Sequence, residues 1–157
     1  MDMAKNDDYK TKFFESFSAR VNDKVECIEM INIQADDETF KKMGLIPQPG
    51  TDVLWGLLVS CEKGLFFYVH PSETIMMAML RVASHDEGPK EQFFDFKNVV
   101  NLEVHQKEKK WYDFLFNDSK FVLDGSFEIE GRKHICRINT QRKAADVKKI
   151  FDKYISQ

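Results

Sequence analysis

Four histidines, His70, His85, His105 and His134, are the first residues to weigh for metal or acid–base chemistry. None stands in an HxxxH or HxH arrangement, and none has a cysteine at zinc-ligand spacing. Metal sites normally show ligand spacing, so these read as surface or strand-edge imidazoles. A site assembled across strands from His105, His134 and Cys136 has no positive support. No GxSxG elbow offers a nucleophilic serine, and Cys61 and Cys136 lie in apolar strand patterns where thiols tend to be inert. Asp36 with Asp37 reads as a helix cap, and Glu128 with Glu130 as a wet strand face. The glycines are single and scattered, so there is no phosphate loop. The expectation is a protein that is not an enzyme, with no cofactor and no metal.

One basic cluster remains as a candidate binding site. Lys107, Lys109 and Lys110 form a hairpin tip with Trp111 beside them, an arrangement that suits contact with an anionic membrane interface. Each basic residue near such a surface contributes about 1 kcal/mol, so three lysines with Glu108 among them give weak attachment. The plainer reading is a solvated turn that blunts a sheet edge. Arg142, Lys143, Lys148 and Lys149 read as the wet face of a helix.

Composition narrows the class. At 157 residues the chain fits one domain, and it can bury roughly two-thirds of its unfolded surface without a metal or disulfide. Fourteen Phe with only four Pro and seven Gly mark a folded protein. A net charge of -3 argues against a general nucleic-acid binder. Cys27, Cys61 and Cys136 are odd in number and far apart, as suits reduced thiols in a reducing compartment, with a disulfide between two of them left open. The N-terminus has no apolar leader. The longest apolar run, residues 53–59, is far short of the ~20 that span a bilayer. The expected location is cytoplasmic.

The elements that must position these residues fall into three sections. Tyr9, Phe13, Phe14, Phe17 and Val21 recur at helical spacing behind Asp7 and Asp8 as caps, with Asn22-Asp23 as the stop. Their stripe is either core or a surface for a partner chain. Residues 25–33 are apolar but fit neither period. A short helix follows, capped by Asp36 or Asp37, with Phe40 and Met43 inward and Gly44 as its stop. Residues 47–50 are a firm break.

From Asp52 to about Asn139 the chain reads as strands and tight turns. Residues 53–61 and 65–70 flank Glu62-Lys63-Gly64, with Gly64 expected at positive φ. The Met-rich stretch 75–83 is either strand or helix and ends at 84–89, and 93–96 is a short aromatic strand. Val100, Leu102 and Val104 alternate with Asn101, Glu103 and His105; Tyr112, Phe114 and Phe116 alternate beyond the 107–110 turn. After 117–119 come 121–123, a break at Asp124-Gly125, and alternating Phe127 and Ile129; Gly131 turns the chain into Cys136 and Ile138. Such repetition means an antiparallel meander with one dry face. Thr140 is the expected cap of a last helix, whose stripe of Ala144, Val147, Ile150, Phe151, Tyr154 and Ile155 closes the open end of a curled sheet.

Short antiparallel strands followed by one C-terminal helix resemble the pleckstrin-homology-like superfold. The hairpin Leu57-Leu58-Val59-Ser60-Cys61 to Gly64-Leu65-Phe66-Phe67-Tyr68 and the segment from Phe94-Asp95-Phe96 to Val104 resemble its bacterial and GRAM-type branches. The resemblance covers roughly residues 52–155. It implies a partly open barrel with a capping helix. Phosphoinositide-binding members carry several basic residues at the first hairpin loop, where this chain has only Glu62-Lys63-Gly64, so that lipid site does not carry over.

The resulting expectation is a mainly β domain: a helical extension over residues 1–50 packed on a barrel of residues 51–157. Its function is to bind protein or peptide without catalysis, at an unpaired sheet edge or the groove beside the last helix. The alternative is peripheral binding to anionic lipid through Lys107, Lys109, Lys110 and Trp111. A third reading is an apolar small-ligand carrier.

Overall fold

The computed structural model describes residues 3–47, 49–71, 83, 91–107 and 121–157. The Met-rich stretch, His85 and its loop, Lys109, Lys110, Trp111, and the expected alternation at Tyr112, Phe114 and Phe116 lie outside the described residues. Seven strands are described: β1 (Val25–Gln34), β2 (Val53–Cys61), β3 (Leu65–Val69), β4 (Gln92–Asp95), β5 (Val100–Gln106), β6 (Val122–Ile129) and β7 (Arg132–Thr140). The helices among the described residues include α1 (Met3–Val21), α2 (Asp37–Met43) and α3 (Ala144–Ile155). None of the described helices is long and apolar enough to cross a membrane.

The strands form one antiparallel sheet in the order β4-β3-β2-β1-β7-β6-β5. Its two edge strands, β4 and β5, follow one another in the chain, joined by a 3-10 turn at Phe96–Asn98. Laid flat, seven strands would separate those edges by about 29 Å. The five peptide steps from Asp95 to Val100 reach at most about 18 Å. The sheet therefore has to curl, although β4 and β5 do not pair and the barrel stays open. This mainly β architecture is the one expected, and its strand order with a final helix is compatible with a pleckstrin-homology-like layout.

Phe40 and Met43 of α2 and Val147 and Phe151 of α3 join Ile31, Leu58, Phe67, Leu123 and Phe127 of the strands in one apolar core. The Phe151 ring meets Phe96 edge-on at 5.8 Å. As expected, Asp36 caps α2 by accepting from the Thr39 amide at 2.7 Å, and Gly44 ends it at φ 72. The Thr39 hydroxyl lies 3.0 Å from His134 Nδ1.

A second apolar layer lies outside the barrel. Phe17 of α1, 3% exposed, packs on Val59, Phe66 and Tyr68, with Phe13, Phe14 and Phe93 around it. Phe17 of the α1 stripe is thus core, with Phe13 and Phe14 partly buried beside it, while Tyr9 is exposed. Arg20 adds an ion pair to Glu91, which also accepts from the Tyr68 hydroxyl at 2.9 Å.

Residues 25–33, which fit neither period, become β1 at the centre of the sheet, between β2 and β7. Both faces are covered, Ile31 and Ile33 by the barrel core and Ile28 by the α1 layer, so alternation is lost. The break at 47–50 therefore connects α2 to β2, within one sheet.

Several local expectations are corrected. Asp7 and Asp8 sit inside α1, where Asp8 pairs with Lys12 at 2.8 Å, so they are not its caps. Thr140 ends β7 and its hydroxyl bonds backbone carbonyls of Phe121 and Arg142, while α3 begins after Lys143 without a side-chain cap. Asp124-Gly125 is not a break but the middle of β6, where Gly125 leaves room for the Cys136 sulfur. Val100 is exposed, because Asn101 at φ 53 makes a bulge between Val100 and Glu103. Gly64 is not at positive φ; its missing side chain admits the Phe66 ring.

Candidate functional site

Edge strands carry unpaired backbone groups, so the two ends of the sheet are where a further chain can be added. At β4 the first residue is already engaged. The Gln92 carboxamide accepts from the Ile46 amide at 2.6 Å and donates to the Ile46 carbonyl at 3.1 Å, as a neighbouring strand would. β5 pairs only with β6 among the described residues. Its Glu103, His105 and Gln106 are exposed, and Val104 is buried. The Asn101 bulge, held by a 2.8 Å hydrogen bond from the Asn101 side-chain carboxamide to the Glu128 carboxylate, confines regular pairing to residues 103–106.

α3 runs beside this edge because its apolar stripe must cover the barrel mouth. Ile150 and Tyr154 pack on the core, but Ile155 at the end of the helix is 43% exposed. Leu102 of β5 with Tyr154, Ile155 and Gln157 lines an open groove of 650 Å³, which also touches Lys63. A second groove of 510 Å³ continues toward the end of α1 and the β4 edge, and it shares Lys63 and Tyr154.

The β2–β3 turn that presents Lys63 is fixed from a distance. The Asp23 carboxylate accepts from the Lys63 amide at 3.1 Å and the Gly64 amide at 2.8 Å. Among the charges lining the furrow, Arg20 pairs with Glu91, and Lys97 with Asp95 at 3.4 Å. The Lys63 ammonium has no acid partner among the described residues, and the Tyr154 hydroxyl has no hydrogen-bond acceptor there. Burial, then the nearby Asp95 carboxylate, push the Tyr154 phenol up, so it keeps its proton and remains a donor.

Of the basic cluster singled out from sequence, only Lys107 is described. Lys107 is half-buried at the end of β5, its amide bonded to the Val122 carbonyl at 3.4 Å, while Lys109, Lys110 and Trp111 lie outside the described residues. His70 and His105 are exposed. His134 is buried and stacked on Phe127 at 5.8 Å, and Cys136 is buried beside Gly125. No group of three metal-ligating side chains is present among the described residues. The described thiols are free. Burial pushes those of Cys61 and Cys136 up to about 12 and also raises Cys27. Lys63 and Tyr154 were not anticipated as neighbours, since only the folded helix brings them together.

Comparison with protein-family models, with characterised proteins and with solved structures finds no significant match.

Proposed function

We propose that this chain is a non-catalytic interaction module of the pleckstrin-homology-like type, which binds an extended segment of a partner protein by strand addition along β5. The observation that carries this reading is the edge of β5, unpaired among the described residues, lying beside the groove of Leu102, Tyr154 and Ile155. Backbone groups on the edge supply affinity without demanding a sequence. The groove supplies selectivity, because alternate side chains of an added strand point to one face. Residues 103–106 give room for about four residue pairs, so the affinity expected is micromolar and the contact transient.

The test is capture of pooled ten-residue peptides with alternating polar and apolar residues by the full chain, compared with two variants. Ile155→Asp places a charge in the groove and should lower capture about tenfold. Ile135→Asp, on the far outer face of β7, should leave it unchanged. Equal capture by the Ile155→Asp variant, or no capture by the native chain, would contradict the proposal.

A further inference from the structure

The furrow beside β5 has an electrostatic feature that strand addition alone does not require. Two side chains that can donate, Lys63 and Tyr154, line both adjoining grooves, and Glu103 of β5 lines the first of them as well. Neither has an acceptor among the described residues, whereas the neighbouring Arg20, Lys97 and Asp23 are all engaged. The one carboxylate acting on Tyr154 is Asp95, and it is paired with Lys97 and accepts from the Lys97 amide at 2.9 Å. The Asp23 clamp on the turn holds the Lys63 backbone in place, so its side chain is presented from a fixed root. A charged donor and a neutral one lining the same groove as Leu102 and Ile155 are complementary to a carboxylate followed by an apolar side chain.

Resting on the strand-addition reading, we infer that the segment bound along β5 carries an acidic side chain, Asp or Glu, received by Lys63 and Tyr154, with an apolar side chain two residues away seated between Leu102 and Ile155. The spacing of two follows from the period of an extended strand, which puts both side chains on one face. The acid confers selectivity rather than most of the affinity, because Lys63 is exposed and an exposed ion pair is weak.

The experiment measures binding of the full chain to three ten-residue peptide pools that differ at one fixed position: Glu, Gln or phosphoserine. The Glu pool should bind about fivefold better than the Gln pool, and the preference should shrink with added salt. Lys63→Met should abolish the preference while leaving Gln-pool binding in place, and Tyr154→Phe, which removes only the hydroxyl, should reduce it. Equal binding of the Glu and Gln pools, both lost in Ile155→Asp, would overturn the acidic anchor and leave strand addition standing. A phosphoserine pool that outbinds Glu more than tenfold would overturn the carboxylate in favour of a phosphate. Failure of all three pools to bind would overturn both readings.

Discussion

The Thr39 hydroxyl and His134 Nδ1 lie 3.0 Å apart and join α2 to β7 across 95 positions of the chain. Beside it the Thr39 amide donates to the Asp36 carboxylate at 2.7 Å, and hydrogen bonding from Thr39 holds that carboxyl below its usual range. The direction of the bond between Thr39 and His134 follows the ring's tautomer, and the buried His134 Nε2 has no partner among the described residues. This buried polar contact joins α2 to β7, alongside the exposed ion pairs Glu38–Arg132 and Lys42–Glu130.

Thr39→Val removes the hydroxyl and leaves the buried Nδ1 without a partner, at a cost of about 2 kcal/mol. His134→Phe should cost a similar amount by orphaning the hydroxyl. The double variant should cost clearly less than the two together, because no polar group is then left unpaired. Chemical denaturation of the four proteins measures the coupling. Strict additivity would show that the contact does not join the two elements.

At Gly56 a methyl group would lie 2.6 Å from the Tyr68 carbonyl oxygen and 2.7 Å from the Phe67 ring. One neighbour is backbone, so the strands themselves have to part. Gly56→Ala should destabilise the fold by about 3 kcal/mol, read as a lower thermal midpoint. An unchanged midpoint would mean that β2 and β3 are less closely packed at this pair.

The buried thiols set an alkaline limit. A group whose folded pKa lies above its unfolded one holds its proton more tightly in the native state. Its stabilisation is whole below the ordinary thiol value of 9.0 and is lost as pH climbs toward about 12, the native value for Cys136. Stability should fall across that window by up to about 1.4 kcal/mol per pH unit from this thiol. Cys136→Ala should flatten the slope in a pH series of denaturation midpoints. An equal slope in the variant would assign the loss to other groups.

Much of this fold was legible in the residues. Asp36, Phe40, Met43 and Gly44 defined α2 by themselves, and alternation at Phe127, Cys136 and Ile138 defined the dry face of β6 and β7. The central strand was not legible, because Ile28 and Ile31 are buried on opposite faces and no period survives. Asp124-Gly125 looked like punctuation only because Gly125 makes room for a sulfur on the next strand. The furrow lined by Lys63 and Tyr154 was hidden for a different reason. Lys63 belongs to a tight turn and Tyr154 to the last helix, and local pattern carries no signal of that meeting. The histidines, where chemistry was first sought, proved to be two exposed imidazoles and one core contact among those described.

Amide hydrogen exchange on the full chain, with and without a peptide captured from the Glu pool, tests strand addition most directly. In an edge strand every second amide faces outward without a partner. Peptide should slow exchange at alternate positions within residues 103–106 and at the end of α3, with β4 unchanged. Protection confined to β4 or α1, or none along β5, would contradict the account.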